Sequence, residues 1–330
     1  MTSSSSSSSS PRPMENVFTE QQQGRTGRPQ YVGRELLRLV EERDDVVVLS
    51  ADMGSVVSEL RERHPRRYFE LGIAETNAVS VAAGLAACGF RPYVVSMGPF
   101  GAIKCAEQLR ADVAYTRLPV RFVARLSGLA MGFFGTTHHA VEDIAIARSI
   151  SNLTLVAPSD ERSAVALLRS TVDHPGPVFF RVSEGVDAAV YGDVPAIDRG
   201  RFVPVRPGSD ATVIATGLGV PAAMGAAGLL EREGLRVAVL DAAYLKPLDE
   251  DAILRAARTT GAILTVEEHS VVGGLGAAVA EVLALARLAP LFRIHGLPDE
   301  DLDVGMPAAL LKRYGITPAG VADQVRELLR

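Results

Sequence analysis

Short aliphatic and β-branched runs, each followed by a segment of helical period, recur from residue 30 to the end of this chain. The runs at 46–49, 93–95, 120–123, 153–157 and 178–182 are apolar nearly throughout instead of alternating with polar residues. A strand apolar on both sides must be covered on both faces. That is the pattern of a parallel sheet between two layers of helices. Helical spacing fills the gaps at 32–42, 72–88, 103–115, 141–150 and 163–172. A second series follows, with strands at 212–216, 236–240, 262–267 and 291–295, and helices at 221–233, 250–258, 276–286 and 318–329. Between the two series, 191–208 carries Gly, Pro and Asp without periodicity. At roughly 150 residues per domain, 330 residues make two. The expectation is therefore an α/β protein of two parallel-sheet, three-layer domains, 30–190 and 209–330, with 191–208 as linker. Residues 1–29 contain a serine run from Ser3 to Ser10 and too little apolar surface to bury, which predicts a disordered tail.

Composition removes several classes. Lys and Arg number 34 against 39 Asp and Glu, a net charge of −5, without the basic excess of a nucleic-acid binder. No apolar run approaches the ~20 residues that span a bilayer. No basic segment followed by an apolar one marks a leader. Neither a nucleic acid nor a membrane is expected as partner, and the expected compartment is the cytoplasm. Cys88 and Cys105 cannot build a disulfide framework, and both read as small buried residues.

Several segments carry possible chemistry. Gly217-Leu218-Gly219 lacks the third glycine of a dinucleotide loop and reads as a tight strand–helix turn. Gly273-Gly274-Leu275-Gly276 opens a helix, either as an anion site or as close backbone packing. Glu267-Glu268-His269 ends a strand and reads better as a domain contact than as a metal site. The stretch Gly72-Ile73-Ala74-Glu75-Thr76-Asn77 is more informative. It puts Glu75 at the start of a helix that is small or apolar on nearly every face, hence buried all round. A buried carboxylate costs several kcal/mol unless it is hydrogen-bonded or protonated, which makes Glu75 a candidate for proton chemistry. Gly135-Thr136-Thr137-His138-His139 follows a glycine loop and precedes a helix, at the sheet edge where α/β sites form. Met97-Gly98-Pro99-Phe100 places an aromatic ring on a loop just after a strand.

In combination these segments resemble the C-terminal half of transketolase, its pyrimidine-binding domain followed by its C-terminal domain. The resemblance covers residues of about 30 to 330. It runs in order through Ala51-Asp52-Met53, the Glu75 segment, the Phe100 loop, the His138 segment, Ala157-Pro158-Ser159-Asp160 and Glu267-Glu268-His269…Gly273-Gly274-Leu275-Gly276. The same architecture occurs in deoxyxylulose-phosphate synthase and in the β chains of 2-oxoacid dehydrogenases.

The resemblance implies thiamine diphosphate as cofactor. Glu75 then hydrogen-bonds N1′ of the aminopyrimidine, Phe100 stacks on that ring, and Asp52, Met53 and Ile73 lie at its edge. His138 faces the substrate oxygen as proton donor or oxyanion stabiliser, with His139 and Arg181 as further substrate contacts. The family's Gly-Asp-Gly…Asn metal motif does not occur, since Gly192-Asp193-Val194 is a different sequence. The chain is therefore expected to bind no metal itself and to need a diphosphate-binding subunit that holds most of the Mg2+ contacts. A homodimer of this chain would form the core of a heterotetramer. Three substrate positions depart from the pattern: Phe134 stands where the family carries aspartate, Leu126 where it carries histidine, and Ala157 where it carries arginine. The implied reaction is transfer of a two-carbon ketol unit from a ketose to an aldehyde or a specialised acceptor. Two alternatives stand beside it. One is a 2-oxoacid dehydrogenase β-type chain that passes an acyl unit to a lipoyl or carrier domain. The other is a non-catalytic assembly subunit.

Overall fold

The computed structural model describes residues 31–184 and 189–330; the expected tail, 1–29, lies outside the described residues. Two sheets organise the rest. The first half supplies α1 (Tyr31–Glu42), β1 (Val46–Ser50), α2 (Ser58–Arg63), β2 (Tyr68–Glu70), α3 (Glu75–Ala87), β3 (Arg91–Met97), β4 (Arg121–Ser127), α4 (Asp143–Ser149), β5 (Thr154–Val156), α5 (Glu161–Ser170) and β6 (Val178–Ser183). The second half supplies β7 (Val203–Arg206), β8 (Ala211–Ala215), α6 (Gly219–Glu231), β9 (Val237–Asp241), β10 (Tyr244–Lys246), α7 (Glu250–Thr259), β11 (Ala262–Ser270), α8 (Leu275–Leu285), β12 (Leu291–Leu297), α9 (Pro307–Arg313) and α10 (Pro318–Leu328).

The seven-stranded sheet runs β10-β5-β6-β4-β3-β1-β2, and the five-stranded sheet runs β12-β11-β8-β9-β7. All pairings are parallel except β10 with β5 and β7 with β9. Every residue of β1, β8 and β11 is buried, as apolar runs require of central strands, and β11 also carries Glu267, Glu268 and His269 into the interior. Chain order reverses between β1 and β3: β2 lies on one side of β1 and β3 on the other. Such a reversal opens a crevice outside the carboxyl ends of the strands.

Five elements escaped the sequence pattern, among them the six-residue helix α2, in which Leu60 alone is buried. Strand β2 has only three residues, two of them exposed. Strand β7 falls inside the segment expected to be linker. Strand β10, from the second half of the chain, adds antiparallel to the edge of the first sheet beside β5. The sequence division into two separate sheets is thus crossed once. Helix α9 opens on a proline and is too short to display a period. The expected helix 103–115 is instead two wide π-type segments, Phe100–Lys104 and Leu109–Ala114, joined by a short α-helical piece. Helix α3 is not buried on every face. Ala78, Val79, Ala82 and Ala83 face the core, while Asn77, Ser80, Gly84 and Cys88 are exposed. Cys105 is buried as expected; Cys88 is not.

Val32–Arg330 forms one compact unit. Its two halves meet on a buried polar cluster. Arg181 donates to Asp143 Oδ1 (3.0 Å), Ser183 Oγ (2.8 Å) and the carbonyls of Ala140 (3.3 Å) and Glu268 (2.6 Å). Glu268 Oε1 accepts from the Leu129 amide at 2.8 Å. Gly128 has φ +68°, and a Cβ there would collide with the Glu268 carboxylate, so glycine is required on both counts. Glu267 accepts from the amides of Leu275 (2.6 Å) and Gly276 (2.8 Å). The anion at the N-terminus of α8 is therefore the protein's own carboxylate, and Gly274 has no Cβ because Glu267 lies against it. His269 Nδ1 is within 2.7 Å of the Ser270 carbonyl, and its Nε2 accepts from the Ala145 amide at 3.3 Å. The ring thus carries its proton on Nδ1 and is neutral, and burial lowers its basicity further. Glu267-Glu268-His269 is this contact. Among the described residues no group of three or more His, Cys, Asp or Glu is placed to hold a metal ion.

Asp241, at the end of β9, is fully buried. Burial lifts its carboxyl to about 7, against bonds from Ser159 Oγ (2.6 Å) and the Tyr191 hydroxyl (2.8 Å) that favour the ionised form. Its unfolded value is ~3.9. Between those values the folded chain binds the extra proton, so this group's contribution to stability falls as pH rises through the window. Asp241→Asn keeps both acceptor bonds and cannot ionise. The melting temperature of the variant should gain on that of wild type from about pH 5 to about pH 8. A constant difference across that range would show that Asp241 does not titrate on folding.

Candidate active site

The carboxyl ends of β1, β3 and β4 deliver Asp52 and Met53, Phe100, and the glycine loop before His138 to one edge of the first sheet. Glu75 enters the same edge as the first residue of α3. Its side chain is 3% exposed and accepts a hydrogen bond from Lys104 Nζ at 2.6 Å. The same ammonium lies 5.8 Å from the centre of the Phe100 ring. Phe100 meets His138 edge-on, with ring centres 5.4 Å apart, and Phe134 packs against the other side of His138 at 4.7 Å. The rings and charges of Glu75, Lys104, Phe100, His138 and Phe134 thus form one continuous cluster. Three of its members, Glu75, Phe100 and His138, were expected from sequence to act together. Lys104 was not singled out. Its only signal is a cation four residues after Phe100 in an otherwise apolar stretch.

Thr137 Oγ1 lies 2.9 Å from His138 Nδ1 and orients the ring. Burial, and then the nearby His139, lower the basicity of His138. At neutral pH it is therefore an uncharged imidazole that can donate one hydrogen bond or accept one.

The loops carrying Asp52 and Ile73 are tied together by Glu70, also missed by sequence reasoning. Glu70 Oε1 accepts from the amides of Asp52 (3.1 Å) and Gly72 (2.9 Å), and Oε2 accepts from Tyr68 Oη at 2.5 Å. Burial pushes the Glu70 carboxyl up, but these donors together hold it below its ordinary range. Asp52 is exposed and left-handed, with φ 55°. Met53 is buried, its amide donating to Ser50 Oγ at 3.0 Å. Ile73 is 74% exposed.

Two residues expected at the substrate are engaged within the chain. His139 is buried, and its Nε2 lies 3.3 Å from the Gly132 carbonyl, where it closes the glycine loop. Arg181 is fully buried in the polar cluster between the two halves of the chain, and its guanidinium is committed there. Ala157 has no exposed surface and lies in the core, so a guanidinium does not fit at that position. Leu126 holds the left-handed conformation, φ 56°, at the end of β4. A branched side chain rarely adopts that conformation, and such strain concentrates at functional edges. Arg125 is also matched: it makes a two-point contact with Glu184, at 2.6 and 2.8 Å.

A carboxylate, an aromatic face and a neutral imidazole thus gather at the switch point of a parallel sheet, the place where ligands bind in open α/β sheets. The chain belongs to the transketolase family. Residues 29–186 match the family model "Transketolase, pyrimidine binding domain", and residues 200–321 match "Transketolase, C-terminal domain". It is similar to 1-deoxy-D-xylulose-5-phosphate synthase of Heliobacterium modesticaldum, 38% identical over 89% of this chain and 46% of that protein. It is also similar to one subunit of the apulose-4-phosphate transketolase of Phocaeicola vulgatus, 36% identical over 89% of this chain and 95% of that one. Among solved structures, one described as a split gene transketolase, inactive beta4 tetramer, superposes with a TM-score of 0.84 at 35% identity, over 91% of this chain and 97% of the other. Transketolase from Campylobacter jejuni shares the fold alone, with a TM-score of 0.72 at 18% identity, over 90% of this chain and 46% of that one. The chain spans about half the length of the synthases it matches.

Proposed function

We propose that this chain is the pyrimidine-binding subunit of a two-component, thiamine diphosphate-dependent transketolase. The observation that carries the reading is the cluster in which a buried carboxylate, Glu75, stands beside an aromatic face, Phe100, and a neutral histidine, His138. These residues suit the group. The carboxylate offers an acceptor to a protonated ring nitrogen, and the aromatic offers a stacking face. Bound thiamine diphosphate would supply the nucleophilic carbon that takes up and passes on a two-carbon ketol unit. Glu75 would hold and share the proton at N1′ of the aminopyrimidine. Phe100 would fix the plane of that ring, and Asp52, Met53 and Ile73 would border it. His138, oriented by Thr137, would donate to the substrate oxygen as charge develops there. Diphosphate and Mg2+ would be held mainly by a second subunit. Two likenesses support that division: a relative of nearly equal extent is named as one subunit of a transketolase, and a similar structure is described as a split-gene product. A homodimer of this chain within a heterotetramer is part of the proposal; the similar structure, described as a beta4 tetramer, supports self-association. Soluble, cytoplasmic carbohydrate chemistry is part of the proposal; no helix among the described residues is long and apolar enough to cross a membrane.

The test is to co-express the chain with its diphosphate-binding partner and screen ketose and 2-oxoacid donors with mass detection of products. A two-carbon gain on an aldehyde acceptor supports the reading. Acyl transfer to a lipoyl or carrier domain, with no ketose used, overturns it in favour of a dehydrogenase β-type role. No turnover of any donor, with partner and cofactor bound, points to an assembly subunit.

Specificity should rest partly on Phe134, which is 41% exposed beside His138. Phe134→Asp places a carboxylate where a sugar hydroxyl could donate to it. A hydrogen bond to a charged group contributes ~1.5–3 kcal/mol, so kcat/KM for a polyhydroxylated sugar should rise about tenfold or more. No gain with any sugar would remove Phe134 from the substrate path.

A further inference from the structure

Lys104 makes two contacts at once. It donates to Glu75 Oε2 at 2.6 Å, and it stands 5.8 Å from the centre of the Phe100 ring. On the function proposed for this site, those are the two contacts an aminopyrimidine needs: a donor to the Glu75 carboxylate and a seat on the Phe100 face. We propose that Lys104 is a stand-in for the pyrimidine, a side chain that neutralises Glu75 until the cofactor displaces it.

The physical case rests on the unlike settings of the two partners. The Glu75 side chain is 3% exposed and fixed at the first turn of α3, so it cannot leave to find water. Left alone, a buried carboxylate bears its full desolvation cost. The Lys104 side chain is 46% exposed, on the π-type segment Phe100–Lys104 that also carries Phe100. A lysine has a long flexible stem and a strongly hydrated head. It can swing into solvent at little cost once another donor satisfies Glu75. The ion pair is thus strong enough to protect the carboxylate and weak enough to exchange. Because it is half in water, it should set the exchange against the cofactor by up to about fivefold, the range of exposed pairs. Lys104 is a positioning residue in this account: it acts on the site through Glu75.

The test uses the complex of this chain with its diphosphate-binding partner, in Mg2+, and reads affinity by calorimetry. The probes are thiamine diphosphate and inorganic pyrophosphate. Lys104→Met should tighten thiamine diphosphate by about two- to fivefold and leave pyrophosphate unchanged, because pyrophosphate does not reach Glu75. Lys104→Arg preserves the pair and should stay near wild type. In a Glu75→Gln background the gain from Lys104→Met should vanish, since no charge is left to compete for. Unchanged or weaker thiamine diphosphate binding in Lys104→Met overturns the stand-in. So does an equal change for pyrophosphate, which would mark a general effect of charge. If the wild-type complex and Lys104→Met both fail to bind thiamine diphosphate, the proposed function itself falls and takes this inference with it. If wild type binds and only the gain is missing, the function stands and Lys104 alone loses its role.

Discussion

Glu75→Gln should lower kcat of the assembled enzyme by ~10²–10⁴-fold while thiamine diphosphate stays bound, the span that removal of a positioned acid–base group ordinarily costs. The substitution preserves size and the ability to hydrogen-bond a ring nitrogen, but the amide cannot share a proton there. Binding in the ground state is thus largely kept, while the step that depends on proton placement is lost. The structure adds a control. Glu75 is buried against Lys104, so the neutral amide removes a buried charge and leaves the half-exposed lysine free to turn into water. Unfolding should therefore change little, and a loss of activity cannot be blamed on a loss of fold. His138→Ala should cost less and vary with substrate, because the role proposed for His138 is toward the substrate oxygen and not toward the cofactor ring. Deuterium exchange at C2 of the bound cofactor separates the two roles: slow in Glu75→Gln, near normal in His138→Ala. Exchange at the wild-type rate in Glu75→Gln would sink the assignment of Glu75.

Turnover should fall to background when the chain is assayed without its partner, with every donor and at saturating thiamine diphosphate and Mg2+. A diphosphate needs a metal ion or a cradle of unpaired donors. Among the described residues, three cations near this edge are already matched: Lys104 with Glu75, Arg125 with Glu184, Arg181 with Asp143. The helix N-terminus that opens on glycines, at α8, is taken by Glu267. Adding the purified partner should restore activity in proportion to complex formed, followed by light scattering. Robust turnover by the single chain would refute the two-subunit reading.

Much of the fold was legible because burial on both faces writes itself into a strand locally. Val46, Val47, Val48 and Leu49 need no distant partner to declare a central position. The same locality explains what was missed. Strand β10 has one buried pair and a lysine, and it is a strand only because the edge of β5 receives it. Glu75, Phe100 and His138 were recognised because each sits on a short segment of distinctive composition. Lys104 was not, since it reaches Glu75 across 29 positions and only the π-type segment aims it there.

The sequence by itself determined the parallel cores of the two sheets and the residue types carried on their loops, since apolar periodicity and loop composition act within a few residues; the switch point needed β2, which the pattern does not show. The tertiary structure alone decided which side chains remain available for chemistry. Arg181 and His139 carry the right groups for a substrate site. Yet one neutralises Asp143 between the two halves of the chain, and the other closes the loop at Gly132. Whether a polar group faces a ligand or another part of the protein depends on which buried partner reaches it first. That is fixed by the packing of segments far apart in the chain, where the cost of an unpaired buried charge outweighs any local preference.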